Sequence, residues 1–292
     1  MGSGRKSLGR KSCSANMHTL RRLVVPAGLA GLLGILDPTA IHAEPLTLSY
    51  LVGWGHMTLA EAEISYSQSE NRYHLVSKGR TKGLLELFFS WQGRAETEGL
   101  RLKEGRRPLV HEHEGTWKEK TRWTRVDWNG AADPRTEAEP PPDLEKITPV
   151  PKSSIAGTSD PFIVILSLLD QLAVTGRCEW EAKVWDGRRR YDLSVTHLGE
   201  EELIADRPWS YEGQAIGCAL DFKRIGGFWR EQPGWRDRDE KAPIRRVIWA
   251  AEIESGHWVL VRAEMETLYG TVVGRLLSGA ELESDLQTSP IQ

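Results

Sequence analysis

The run His111-Glu112-His113-Glu114 is the spacing in this chain most able to do chemistry. On a strand, alternate side chains share a face, so both imidazoles lie on one side about 7 Å apart and both carboxylates on the other. Two such histidines suit zinc, but a site needs at least a third ligand. His56, His74, His197 and His257 are available, and no spacing selects one of them. A polar strand face turned to solvent explains the run more simply, and neither a metal nor a cofactor is expected.

Arg188-Arg189-Arg190 follow Asp186-Gly187. If that dipeptide is a hairpin turn, Arg188 and Arg190 share a strand face and could hold a phosphate or carboxylate. The competing role is to cover an apolar edge and discourage strand addition. Carboxylates at Asp143, Glu145, Asp186 and Glu200-Glu201-Glu202 have no spacing that implies a converging acid and base. HExxH, CxxC, a nucleophile elbow and a phosphate-cradling glycine loop are all missing from the sequence.

Twelve tryptophans are many for 292 residues. Most fall in strands or at strand ends, where packing accounts for them; the alternative is a lining for an amphipathic ligand. Trp54, Trp91, Trp180 and Trp229 are the candidates, with Arg188 and Arg190 for a charged head. The segment from Phe228-Trp229-Arg230 to Trp235-Arg236-Asp237-Arg238 interleaves aromatics and cations. Glu231, Asp237, Asp239 and Glu240 offset that charge, so no nucleic-acid partner is expected.

The elements that must position these residues are mostly strands. Leu46, Leu48, Tyr50, Val52 and Trp54 alternate with Thr47 and Ser49, and Ala60, Ala62, Ile64 and Tyr66 alternate with Glu61, Glu63 and Ser65, the pattern of half-buried antiparallel strands. Further strands fit 73–77, 92–97, 109–114, 116–120 and 122–128. From Ala131 to Gly157 proline and charge dominate, which predicts a linker or mobile lid without packing of its own (131–158). Asp160 then caps a helix over 160–174, Pro161 suits its first turn, Phe162 to Val174 is apolar nearly all round, and Gly176 ends it. Strands resume after 175, with Trp180, Ala182 and Val184 before the Asp-Gly turn and Tyr191, Leu193 and Val195 after it. The expected fold is mainly β, a curled antiparallel sheet or barrel with one buried helix, in two halves (44–130 and 175–280).

Arg21-Arg22, an apolar run from Leu23 to Leu36 and Ile41-His42-Ala43 have the order of a cleavable export signal, 1–43. The run is about 14 residues, short of the roughly 20 that span a bilayer, so no membrane anchor is expected after cleavage. The general and twin-arginine routes both remain open. Residues 1–43 hold six of the 38 Lys and Arg and one of the 41 Asp and Glu; the remaining 32 basic and 40 acidic residues give a net charge of −8. Cys178 and Cys218 remain, and in an oxidising compartment they suggest one disulfide, with two separate buried thiols as the alternative.

Taken together, several stretches resemble the DUF3108 family. They are Leu48-Ser49-Tyr50, Lys82-Gly83-Leu84 with Phe88-Phe89-Ser90-Trp91, and Asp160-Pro161 opening an apolar helix. Cys178 follows, with Val184-Trp185-Asp186-Gly187-Arg188-Arg189-Arg190-Tyr191-Asp192-Leu193, then Cys218, Gly226-Gly227-Phe228-Trp229 and Thr267-Leu268-Tyr269-Gly270-Thr271. The resemblance covers nearly all of 44–292. It implies a secreted envelope protein of Gram-negative bacteria with a curled β-barrel, and it assigns no catalytic residue. The expected function is a periplasmic, non-enzymatic protein that binds a lipid, a glycan or a segment of an envelope protein. A hydrolase of envelope polymers and a pure protein-interaction module are the alternatives, separated by whether a titratable group is buried beside a second one.

Overall fold

The structure is a computed structural model that describes residues 45–129, 133–230, 245–267 and 269–278. The export signal, its cleavage site and Trp235 to Arg238 lie outside the described residues.

Thirteen antiparallel strands form one unclosed sheet in the order β7-β6-β5-β4-β3-β2-β1-β13-β12-β11-β10-β9-β8. The first half is a meander: β1 (Leu46–Trp54), β2 (Met57–Gln68), β3 (Arg72–Thr81), β4 (Trp91–Leu102), β5 (Gly105–Trp117), β6 (Lys120–Asp127) and β7 (Arg135–Glu139). The second is β8 (Trp180–Trp185), β9 (Arg190–Leu203), β10 (Gly213–Gly226), β11 (Arg246–Glu252), β12 (Trp258–Thr267) and β13 (Gly270–Leu276). The first and last strands pair with each other, Tyr50 opposite Leu276, so the two halves form a single sheet whose free edges are β7 and β8. Residues 116–120, expected as a strand, contain the β5–β6 turn, where Lys118 and Glu119 take positive φ.

Inside the curl lies α2 (Pro161–Thr175), begun and ended as its sequence dictates. Asp160 accepts hydrogen bonds from the Phe162 and Ile163 amides at 2.8 and 3.0 Å, and Gly176 closes the helix in a left-handed conformation. Ile163 and Leu166 pack on Tyr66, Tyr73 and Leu75 of the first half. Val164, Leu168 and Leu172 pack on Val184, Leu193, Val195, Ile216, Ile248 and Ala250 of the second. The sheet therefore wraps the helix. Arg106 of β5 fixes its outer end, reaching Asp170 at 2.6 Å and the Tyr66 hydroxyl at 2.9 Å. Strand β11 is buried on both faces, because Val247, Trp249 and Ala251 enter a second cluster with Leu203, Val259, Val261 and Leu276. Cys178 and Cys218 form a disulfide in the helix-facing core, tying the start of β8 to β10 across β9.

The segment expected as an unpacked linker is hydrogen-bonded instead. Its Arg135–Glu139 stretch is β7, paired with β6 from Arg135↔Asp127 to Glu139↔Trp123. Lys146 to Thr148 run beside Gly227 to Arg230, with the Thr148 amide donating to Phe228 O at 2.7 Å and the Gly227 amide to Thr148 O at 2.8 Å. A side chain at Gly227 would meet Arg188 O at 1.9 Å, so this close passage requires glycine. Val150 and Ile155 pack on Val126, Trp128 and Trp185. Few apolar residues suffice here because the strands on either side supply the partners. A second, short helix, α1 (Leu84–Phe88), joins β3 to β4 and buries none of its residues.

Candidate functional site

Strand register aligns the side chains on one face of the first half in rows, the first holding Tyr73 and Gly99, with Tyr73 packed on the helix. The next row is Leu46, Tyr66, Leu75, Thr97, His111, Val126 and Thr136, followed by Leu48, Ile64, Ser77, Ala95, His113, Thr124 and Ala138. The helix packs on Tyr66, Leu75 and His111 of the first of these two rows, with Ile64 of the second in the same cluster. Beyond them lie Tyr50, Ala62, Gly79, Gly93, Gly115 and Arg122, and at the strand ends Trp91, Trp117 and Lys120. We call this end the mouth. Ala62, Gly79 and Gly93 are only partly buried, so small residues leave a shallow trough between helix and mouth. The Trp91 indole fills its glycine end. A Cβ would come within 3.4 Å of that ring at Gly79, 2.6 Å at Gly93 and 3.3 Å at Gly115, so three glycines in register make the seat for one tryptophan. Phe89 and Trp117 stack at 5.3 Å on the rim beside it.

At the inner end of the trough sits a buried polar cluster. Thr97 and Asp160 are fully buried and His111 is 3 % exposed. The Thr97 hydroxyl lies 2.7 Å from His111 Nδ1 and 3.2 Å from Asp160 Oδ1. With the hydroxyl donating to the carboxylate, its oxygen accepts from Nδ1–H of a neutral ring. Burial raises the Asp160 carboxyl above its usual range, against the opposing pull of His111 and the capping amides, and Asp160 Oδ2 has no hydrogen-bond partner. Burial likewise lowers the His111 imidazole, with Asp160 opposing, and lowers His113, to which His111 adds. Expecting His111 to face solvent was therefore incorrect: its strand face is the one the helix covers. The pairing of Asp160 with a histidine had no sequence signal, since the two lie 49 positions apart and meet only when α2 enters the curl.

The sequence-predicted ligand residues fall in different places. Trp91 fills the glycine end of the trough. Trp54 is also at the mouth, its indole donating to Tyr269 O at 2.8 Å. Trp180 packs against the helix-side core at the other end of β8, and Trp229 is 45 % exposed beside Ile147. Arg190 is 3 % exposed, donating to Ser154 O at 2.7 Å and pairing with Asp192 at 2.6 Å. Arg188 Nη2 donates to Trp123 O, Glu139 O and Pro140 O at 3.0–3.1 Å. Phe89 and Trp117 were not among the predicted residues, although their neighbour Trp91 was. Among the described residues, His74, Glu96 and Glu98 on the opposite sheet face bring ligand atoms within 4.8 Å of one another, and Glu96 is also bonded to Arg94. No described helix is long and apolar enough to cross a membrane.

A curled, unclosed antiparallel sheet around one buried helix defines a β-barrel-like class of protein. Within it the chain belongs to a known family: residues 49–276 match the family described as "Protein of unknown function (DUF3108)". The fold is also similar to a solved structure titled "Crystal Structure of Beta-barrel-like Protein of Domain of Unknown Function DUF1849 from Brucella abortus". The likeness is at 9 % identity with a TM-score of 0.47, covering 82 % of this chain and 98 % of that one. No curated protein sequence matches the chain significantly.

Proposed function

We propose that the protein is an exported, periplasmic envelope protein that binds the apolar part of an amphipathic ligand, a lipid in the first instance, in the trough beneath the mouth. One observation carries the reading: the Ala62 end of the small-residue row stays partly exposed beside the Trp91 indole, which is seated on Gly79 and Gly93, with the rim aromatics Phe89 and Trp117 next to it. An apolar surface walled by an indole suits an acyl chain, and Arg122 at the far end of the row suits an anionic head. Export rests on the order of basic, apolar and small residues in 1–43, and the disulfide fits an oxidising compartment.

The hydrolase reading draws on His111 buried beside Asp160, the arrangement that tunes catalytic groups. Against it, Asp160 Oδ1 already caps α2, and both Asp160 and Thr97 are fully buried. Native mass spectrometry of protein purified from its own envelope should show a bound lipid, and an apolar fluorescent probe should brighten with the stripped protein. Ala62→Phe, which fills the trough, should abolish both signals. Absence of adduct and of probe response in the wild type, or no effect of Ala62→Phe, would sink the reading.

A further inference from the structure

We propose that the rim made by α1 and the Trp117 turn docks on the surface of an anionic phospholipid bilayer. In α1 and its next residue, Leu84, Leu87, Phe88 and Phe89 are 66, 77, 76 and 40 % exposed. No other six-residue stretch among the described residues exposes four large apolar side chains. Trp117 on the neighbouring turn, stacked on Phe89, and Met57 on the β1–β2 turn extend the same end of the sheet with 46 and 42 % exposure. At the other end the tips Ser69-Glu70-Asn71, Lys103-Glu104 and Glu254-Ser255-Gly256 are polar, and the exposed apolar residues Leu102 and Ile204 stand singly. Of the large side chains in this helix only Leu85 is half-buried and none is buried, so the helix contributes little to the core. Its composition is explained if another apolar phase receives it.

Charge selects the occupant. Around these side chains stand Arg80, Lys82, Lys118, Lys120 and Arg122 against Glu61, Glu86 and Glu119, an excess of two positive charges on a chain whose residues 44–292 carry −8. Arg80 and Lys82 both bind Glu61, while Lys118 Nζ sits 5.7 Å from the centre of the Trp117 ring. An apolar tip with an aromatic beside a lysine matches the layering of a membrane interface, acyl chains below and anionic headgroups around. A second copy of the rim would instead set positive charge against positive charge. The rim projects from the mouth and is distinct from the trough floor, so docking does not depend on a ligand being held there.

Flotation of the purified protein with vesicles of phosphatidylethanolamine and phosphatidylglycerol tests the proposal, with phosphatidylcholine vesicles alongside. The wild type should float with the anionic vesicles and weakly with the neutral ones. Leu87→Ser with Phe88→Ser should reduce binding at least about tenfold, because both side chains would lose burial in the acyl phase. Their exposure means the fold does not need them, which an unchanged melting curve should verify. Lys118→Glu with Lys120→Glu should remove the preference for anionic vesicles, and Ala62→Phe should leave flotation intact. A wild type that does not float, or a serine double variant that floats equally well, overturns the proposal. So does a wild-type dimer in light scattering that the serine pair converts to monomer, since the occupant is then a second copy.

Discussion

Arg188 Nε donates to Thr124 Oγ1 at 2.9 Å, joining the β8–β9 turn to β6 across the gap where the sheet fails to close. Beside this bond the Trp185 indole donates to Thr136 Oγ1 of β7 at 3.0 Å, and the Ser159 and Trp185 amides exchange hydrogen bonds with Lys183 O and Ser159 O. The free edges are thus stapled by side chains and by the 140–159 segment, with no ladder between them. A hairpin arginine that looked like a ligand group acts as a clasp.

Arg188→Ala should cost about 2–4 kcal/mol, since it leaves several carbonyls and a hydroxyl at the seam without their charged donor. Urea denaturation gives the magnitude. Amide exchange should localise the effect by rising first in Thr136 to Ala138 of β7. Lysine in its place cannot span the same acceptors and should restore less than half of the loss. A change within about 0.5 kcal/mol would make the clasp ornamental.

The strands and α2 were legible because each carries a local signal: alternation in Leu46 to Trp54, a capping Asp160, a closing Gly176. The 131–158 segment was not, because its order comes from partners distant in sequence. Thr148 bonds Phe228, and Val150 packs near Trp128 and Trp185. The same limit applies to the site. Trp91 stood out as an aromatic at a strand start, but its seat is assembled from three strands whose register sets Gly79, Gly93 and Gly115 side by side. His111 could be put on a face by counting; that the face is the covered one depends on where α2 goes.

Gly93→Ala should be destabilising by about 1–3 kcal/mol, because the new methyl would sit 2.6 Å from Trp91 Cζ2 and the indole must leave its seat. In a Trp91→Ala background the same change should cost little, so a double-mutant cycle should give a coupling near the full single-variant loss. Additive effects would mean that the glycine serves strand geometry and not the tryptophan.

Replacing Cys178 and Cys218 together by alanine should lower stability by about 4 kcal/mol, the chain-entropy value for a closed loop with the observed separation of 40 residues. Both sulfurs are fully buried against the helix-side core, so a single replacement, which leaves an unpaired thiol there, should cost at least as much. Thiol labelling of the unfolded, unreduced protein should find neither cysteine reactive. Labelling at both positions would refute the bridge.

Stability should fall on mild acidification, and His111 should account for part of the slope. Burial holds its folded pKa below the ordinary value of about 6.5, so its contribution is fully present above that pH. As pH drops, the unfolded state takes up the proton first and the contribution is lost down to the folded pKa. Asp160 has the opposite sign: its raised carboxyl favours the folded state below about 3.8 and that advantage fades as pH rises through its folded value. His111→Asn keeps a donor towards Thr97 and removes the titration. Between about pH 7.5 and 5.5 the urea midpoint of the wild type should therefore fall more steeply than that of His111→Asn, with His113 contributing to both slopes and more in the wild type, where His111 lowers it further. Parallel slopes would show that protonation of His111 is not linked to folding, and that the Thr97–His111–Asp160 contact tolerates the charge.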